Sequence, residues 1–129
     1  SQGPSILVVD DSSAMRSLIA HQLTKEGFHV VTVSNSTDAL SACKAAMPDL
    51  AIMDLELNGE SGMDLIAAFQ RDPVLIQVPI VACSGNTDDD IRQRALAAGA
   101  KRYLVKDETL RGEISSTIQR TLSVGCSAR

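Results

Sequence analysis

Tryptophan is absent from the 129 residues, and Phe28, Phe69 and Tyr103 are the only aromatic side chains. So few rings cannot build a platform for stacking nucleobases or a flavin. Cysteine is equally sparse: Cys43, Cys83 and Cys126 are odd in number, far apart and without CxxC spacing. That pattern argues against a disulfide framework or a zinc site and for idle thiols in a reducing compartment. No apolar run approaches the roughly 18 residues of a membrane span, and no secretory leader is visible. The expectation is a cytoplasmic protein. Basic residues form no cluster and the formal net charge is −4, which disfavours binding to a phosphate backbone.

The rest is 44% hydrophobic and 22% charged, the composition of one soluble domain with one core. The opening SQGP reads as the remnant of a cleaved expression tag. A domain is expected over residues 5–124, with a short tail at 125–129.

Five times an apolar run is followed by a helical pattern. ILVV precedes a Ser-rich cap and then Met15, Leu18, Ile19 and Leu23 at helical spacing, stopped by Gly27. HVVTV leads to STDALSACKAA. DLAIMDL leads through the loop NGESG to a helix with Leu65, Ile66 and Phe69 on one side. VPIVAC leads to TDDDIRQRALAA and Gly99, and RYLV to a helix carrying Leu110, Ile114, Ile118 and Leu122. Near-continuous apolar strands separated by helices are what a parallel sheet covered on both faces produces. The expected fold is a doubly wound α/β sandwich, flavodoxin-like, with strand order 2-1-3-4-5.

In that order the first and third strands flank the topological switch point, where a crevice opens at their C-terminal ends. Asp10 and Asp11 follow the first strand, Asp54 the third, Ser84 the fourth and Lys106 the fifth. The second strand, expected at the outer edge, ends in no such group. Three crowded carboxylates raise one another's pKa unless a cation compensates, so the crevice predicts a divalent ion. Oxygen ligands alone select a hard metal, Mg²⁺ or else Mn²⁺. A carboxylate, a metal, a lysine and a hydroxyl around one point are the parts for phosphoryl transfer, with Asp54 the candidate nucleophile.

VVDDS, MDL with Gly62 eight positions after Asp54, VACSG, and YLVK together resemble the CheY-like receiver domain of two-component response regulators. The resemblance runs from about Ser5 to Ser123. It implies that Asp54 accepts phosphate from a histidine kinase or histidine phosphotransfer protein, and that the chain catalyses only its own phosphorylation and dephosphorylation. It also implies that Asp11 and Asp54 ligate Mg²⁺ directly, Asp10 through water, and Glu56 through its backbone carbonyl. Ser84 matches the family's switch hydroxyl, Tyr103 its switch aromatic and Lys106 its phosphate-pairing lysine. The fourth helix, fifth strand and fifth helix would form the face read by a downstream effector or an attached output domain, and could pair two copies.

Two positions depart from the family pattern. Asn58 and Asp107 stand where proline is usual, which leaves the path of the loop after Lys106, and so its reach, to be established. Without a proline a cis Lys106–Asp107 bond would cost roughly 2.5 to 4 kcal/mol, which leaves the conformation of that bond for the structure to establish. Asp107 would bring another anion beside the site, and the Glu56 carboxylate could pair with Lys106 when no phosphate is bound.

Plainer readings exist for single residues. Asp11, Ser12 and Ser13 could cap the first helix, Ser84-Gly85-Asn86 could be turn chemistry, Tyr103 could be packing, and Asp88 to Asp90 could favour a helix N-terminus. His21 and His29 have no partnered carboxylate in view. Among whole-chain alternatives, a haloacid dehalogenase-type phosphatase needs a D-x-D pair, and Ser12 holds its second position. A flavodoxin needs a phosphate loop that DDSS would repel. A degenerate receiver serving as a phosphorylation-independent interaction module stays open.

Overall fold

The computed structural model describes residues 3–127, with side chains placed through residue 123. Five parallel strands form one sheet: β1 (Ser5–Val9), β2 (His29–Val33), β3 (Leu50–Asp54), β4 (Ile80–Ser84) and β5 (Arg102–Val105). Their order across the sheet is β2-β1-β3-β4-β5, as expected from the pattern. Five helices join and cover them: α1 (Ser13–Lys25), α2 (Ser36–Ala45), α3 (Gly62–Arg71), α4 (Asp89–Ala98) and α5 (Leu110–Ser127). None of the described helices is long and apolar enough to cross a membrane.

Alternation along the strands divides the core in two, because successive side chains leave opposite faces of a sheet. Leu7, Val9, Ala51, Met53, Ile80 and Ala82 point to the side that holds Ala39, Cys43, Leu65, Ile66, Phe69 and Ala95 of α2, α3 and α4. Ile6, Val8, Leu50, Ile52, Val81 and Cys83 point to the side that holds Ile19, Leu23, Leu110, Ile114 and Ile118 of α1 and α5. Both faces are covered, so β1, β3 and β4 are buried along nearly their whole length. β2 differs: as the edge strand it leaves His29, Val31 and Thr32 exposed.

Several boundaries and one face depart from expectation. Leu18 belongs to the periodic set but is 36% exposed, since α1 buries the narrower stripe of Ile19 and Leu23. α5 continues to Ser127, through residues expected to begin a tail. Pro4, read as part of a remnant, accepts the N–H of His29 at 3.0 Å. Residues 1–2 and 128–129 lie outside the described residues. A short 3₁₀ turn, Leu75–Gln77, and a small antiparallel hairpin, Glu56–Leu57 with Glu60–Ser61, were not anticipated. Asn58-Gly59 is itself a hairpin signal, and Gly59 turns the chain at φ +75°.

Candidate functional site

Asp10 is the first residue after β1, and its N–H donates to Val33 of β2 at 3.1 Å, prolonging the ladder by one bond. Its Oδ1 accepts the N–H of Ser12 at 2.9 Å. Ser12, not Asp11, is the N-cap of α1, with its hydroxyl accepting from Met15 N–H at 3.2 Å. Capping therefore uses neither carboxylate of the pair. Asp11 stays exposed, whereas Asp10 and Asp54 are each only 2% exposed.

These three carboxylates converge, with one oxygen from each of Asp10, Asp11 and Asp54 lying within 4.8 Å of the others. The Lys106 Nζ stands 2.7 Å from Asp10 Oδ2 and 3.0 Å from Asp54 Oδ2. Asp54 Oδ1 accepts the N–H of Glu56 at 3.0 Å, so both oxygens of that carboxylate are held. Burial pushes the Asp54 pKa up, and the hydrogen bond and charge of Lys106 offset only part of that rise. For Lys106, burial alone would lower the pKa, but the two carboxylates outweigh it and the net shift is upward.

Lys106 reaches the crevice because β5 pairs with β4 through Ser84↔Val105 and the Lys106 N–H donates to Ser84 O at 2.8 Å. The bond from Lys106 to Asp107 is trans, as no cis peptide occurs among the described residues. The Asp107 carboxylate is engaged by the residues that follow it in the chain. Its Oδ1 accepts from Thr109 N–H at 2.9 Å and from the Thr109 hydroxyl, which holds its carboxyl below the usual range and turns the chain into α5.

Glu56 brings a correction. Its carboxylate does not pair with Lys106; Oε2 accepts the Ser84 hydroxyl at 2.7 Å. Ser84 is fully buried, and its Oγ also accepts the N–H of Asn86 at 3.0 Å, so the turn chemistry is present as well. Tyr103 is half-buried against the α2–α3–α4 side of the core, with its hydroxyl donating to Asn86 O at 2.6 Å. The loop after β4 is thus tied at Ser84 by Glu56 and at Asn86 by Tyr103.

Sequence reasoning missed Arg16, whose guanidinium donates to Asp10 O at 2.7 Å. Its position in the first turn of α1, just after the acid pair, was the available signal. Gly62 packs against the site from α3: a Cβ there would stand 2.0 Å from Asp54 O. Gly62→Ala is expected to cost about 2 kcal/mol of stability through overpacking, read as a lower urea midpoint at unchanged slope. One residue before Ser84, burial pushes the Cys83 thiol up to about 12. Iodoacetamide at neutral pH is expected to leave Cys83 unmodified in the folded protein and to label it after unfolding, read by peptide mass mapping.

The response regulator receiver domain family matches residues 6–119. The chain belongs to that family. Among curated proteins the receiver domain is similar to the phosphate regulon transcriptional regulatory protein PhoB of Rhizobium meliloti, 35% identical over 103 residues that cover 80% of this chain and 45% of PhoB. A similar match is the DNA-binding response regulator MtrA of Mycobacterium tuberculosis, 35% identical over 78% of this chain and 43% of that protein. The receiver domain spans about half the length of these relatives. Among solved structures it resembles the chemotaxis protein CheY4 of Vibrio cholerae, with TM-score 0.86 and 26% identity over 94% of this chain and 99% of that one. It also resembles the receiver domain of the sensor histidine kinase PA1611 of Pseudomonas aeruginosa, solved with a magnesium ion in its active-site cleft. That match has TM-score 0.83 and 26% identity over 94% and 98% of the two chains.

Proposed function

We propose that this receiver domain takes a phosphoryl group from a phosphohistidine donor onto Asp54, in a reaction that depends on a divalent cation. The observation that carries the reading is the convergence of Asp10, Asp11, Asp54 and Lys106 on one crevice. In the transfer the P–N bond of the donor breaks as an Asp54 oxygen bonds phosphorus, and the imidazole leaves. Asp54 attacks as a carboxylate, so no base is required, and Lys106 beside it favours that anionic form. Lys106 then pairs with the oxygens of the group being transferred, where charge develops.

The donor set suits the cation. Three carboxylates against the single ammonium of Lys106 leave a formal charge of −2 (three minus one), and the ligands are all oxygen. That favours Mg²⁺, with Mn²⁺ as a substitute. Asp11, Asp54 and the Glu56 carbonyl would hold it directly and Asp10 through water; once bound, it would offset charge on the phosphoryl oxygens. The magnesium in the similar Pseudomonas receiver supports this assignment.

Ser84 and Tyr103 are the proposed switch. A phosphoryl group on Asp54 draws in the Ser84 hydroxyl, and the loop that Tyr103 holds through Asn86 shifts with it. The added charge thereby favours a second arrangement of the α4–β5–α5 face. The donor would be a histidine kinase or phosphotransfer protein, and the reader a downstream effector, an output domain or a second copy. Incubation with a small acyl-phosphate donor and Mg²⁺ is expected to add the mass of one phosphoryl group to the intact protein. Failure to gain it even in rapid-quench sampling would favour the phosphorylation-independent interaction module instead.

A further inference from the structure

We infer that Glu56 is a latch that holds the Ser84 hydroxyl in the resting arrangement and competes with the phosphoryl group for it; this rests on the role proposed for Asp54. A serine hydroxyl carries one proton. Here it is given to Glu56 Oε2 at 2.7 Å, while the lone pairs of Oγ receive Asn86 N–H at 3.0 Å. A phosphoryl oxygen on Asp54 can only accept hydrogen bonds, so it needs the same proton. The two bonds are mutually exclusive.

Charge strengthens the competition. The Glu56 N–H is bonded to Asp54 Oδ1 at 3.0 Å, which anchors the base of the Glu56 side chain at the site. Phosphorylation turns the single negative charge of Asp54 into about two on the acyl phosphate, and repulsion from the Glu56 carboxylate opens the latch as the Ser84 proton is claimed. A hydrogen bond to an ionised acceptor is stronger than one between neutral groups. Ser84 itself is fully buried, so once released its hydroxyl needs another acceptor. The switch is thus held closed by a bond that only a competing anion replaces.

The test uses beryllium trifluoride with Mg²⁺ as a phosphoryl analogue, with affinity read by the chemical shifts of the Ser84 and Asn86 amides. Glu56→Ala is expected to tighten the apparent affinity by about tenfold, and Glu56→Gln, which keeps an acceptor without the charge, by less. In a Ser84→Ala background the effect of Glu56→Ala is expected to shrink to the part that charge repulsion alone contributes. If the gain persists there undiminished, Glu56 acts only as a nearby charge and the latch is overturned. No gain in the single variant overturns it as well. Failure of the wild type to bind the analogue at all would instead count against the phosphoacceptor reading, which keeps the two outcomes distinct.

Discussion

Lys106→Ala is expected to destabilise the metal-free protein by about 3 kcal/mol at neutral pH, the lower end for breaking a buried ion pair. The lower end applies because the ammonium keeps some exposure, with 16% of its side chain accessible. The cost arises mostly from what remains: Asp10 and Asp54 would be left 2% exposed, close together and without a cation. Mg²⁺ is therefore expected to raise the melting temperature of the variant by more than that of the wild type, because the ion neutralises charge that Lys106 otherwise neutralises. Equal shifts in the two proteins would show that lysine and metal do not share this site. The pH profile has a defined sign. The Lys106 pKa is raised from 10.5 in the fold, so its contribution is complete below that value and is lost as pH climbs through the folded pKa. The variant should lack this alkaline loss.

Asp54→Asn is expected to abolish phosphoryl incorporation while making the metal-free protein more stable at pH 7, by about 1 kcal/mol. Burial raises the Asp54 pKa above its ordinary 3.8. The folded state therefore binds that proton more tightly than the unfolded chain does, and stability from protonation is present in acid and lost as pH rises through the folded value. Asparagine has no charge to desolvate, and Lys106 keeps Asp10 as a partner. Urea titrations of the two proteins should converge towards pH 3 and separate towards pH 7 in favour of the variant. A less stable Asp54→Asn protein at neutral pH would mean that the pairing with Lys106 outweighs the burial of the carboxylate.

Much of the architecture was legible along the chain. The runs ILVV, LAIM and IVAC are apolar at every position because both sheet faces are covered, and each is followed by a helical pattern. The polar groups that interrupt them at Asp10, Asp54 and Ser84 stood out for the same reason: a charge or hydroxyl ending a fully apolar strand has no packing role. Lys106 was visible at the end of RYLV by the same logic.

What escaped the sequence had a common character. Leu18 fits the helical period as well as Ile19 does, yet in the fold it stays 36% exposed while Ile19 is buried. Arg16 had no assigned role in the sequence, and only the fold shows it donating to the Asp10 backbone. For Glu56 the chain offers two donors, Lys106 just past β5 and Ser84 at the end of β4, and spacing could not choose between them. The choice depends on tenths of an ångström in side-chain position, and pattern carries no information at that scale.

The sequence by itself determined the alternation of strands and helices, the strand order and the identity of the groups at the crevice. Hydrophobic periodicity and right-handed connection are properties of the chain's local order, and they leave few arrangements open. Only the tertiary structure decided how those groups are shared. It gave Lys106 to Asp10 and Asp54 together, Ser84 to Glu56, and Asp107 to Thr109. Each of those pairings is a competition among several acceptors within reach, and a competition of that kind is settled by distance and angle once the strands are in register.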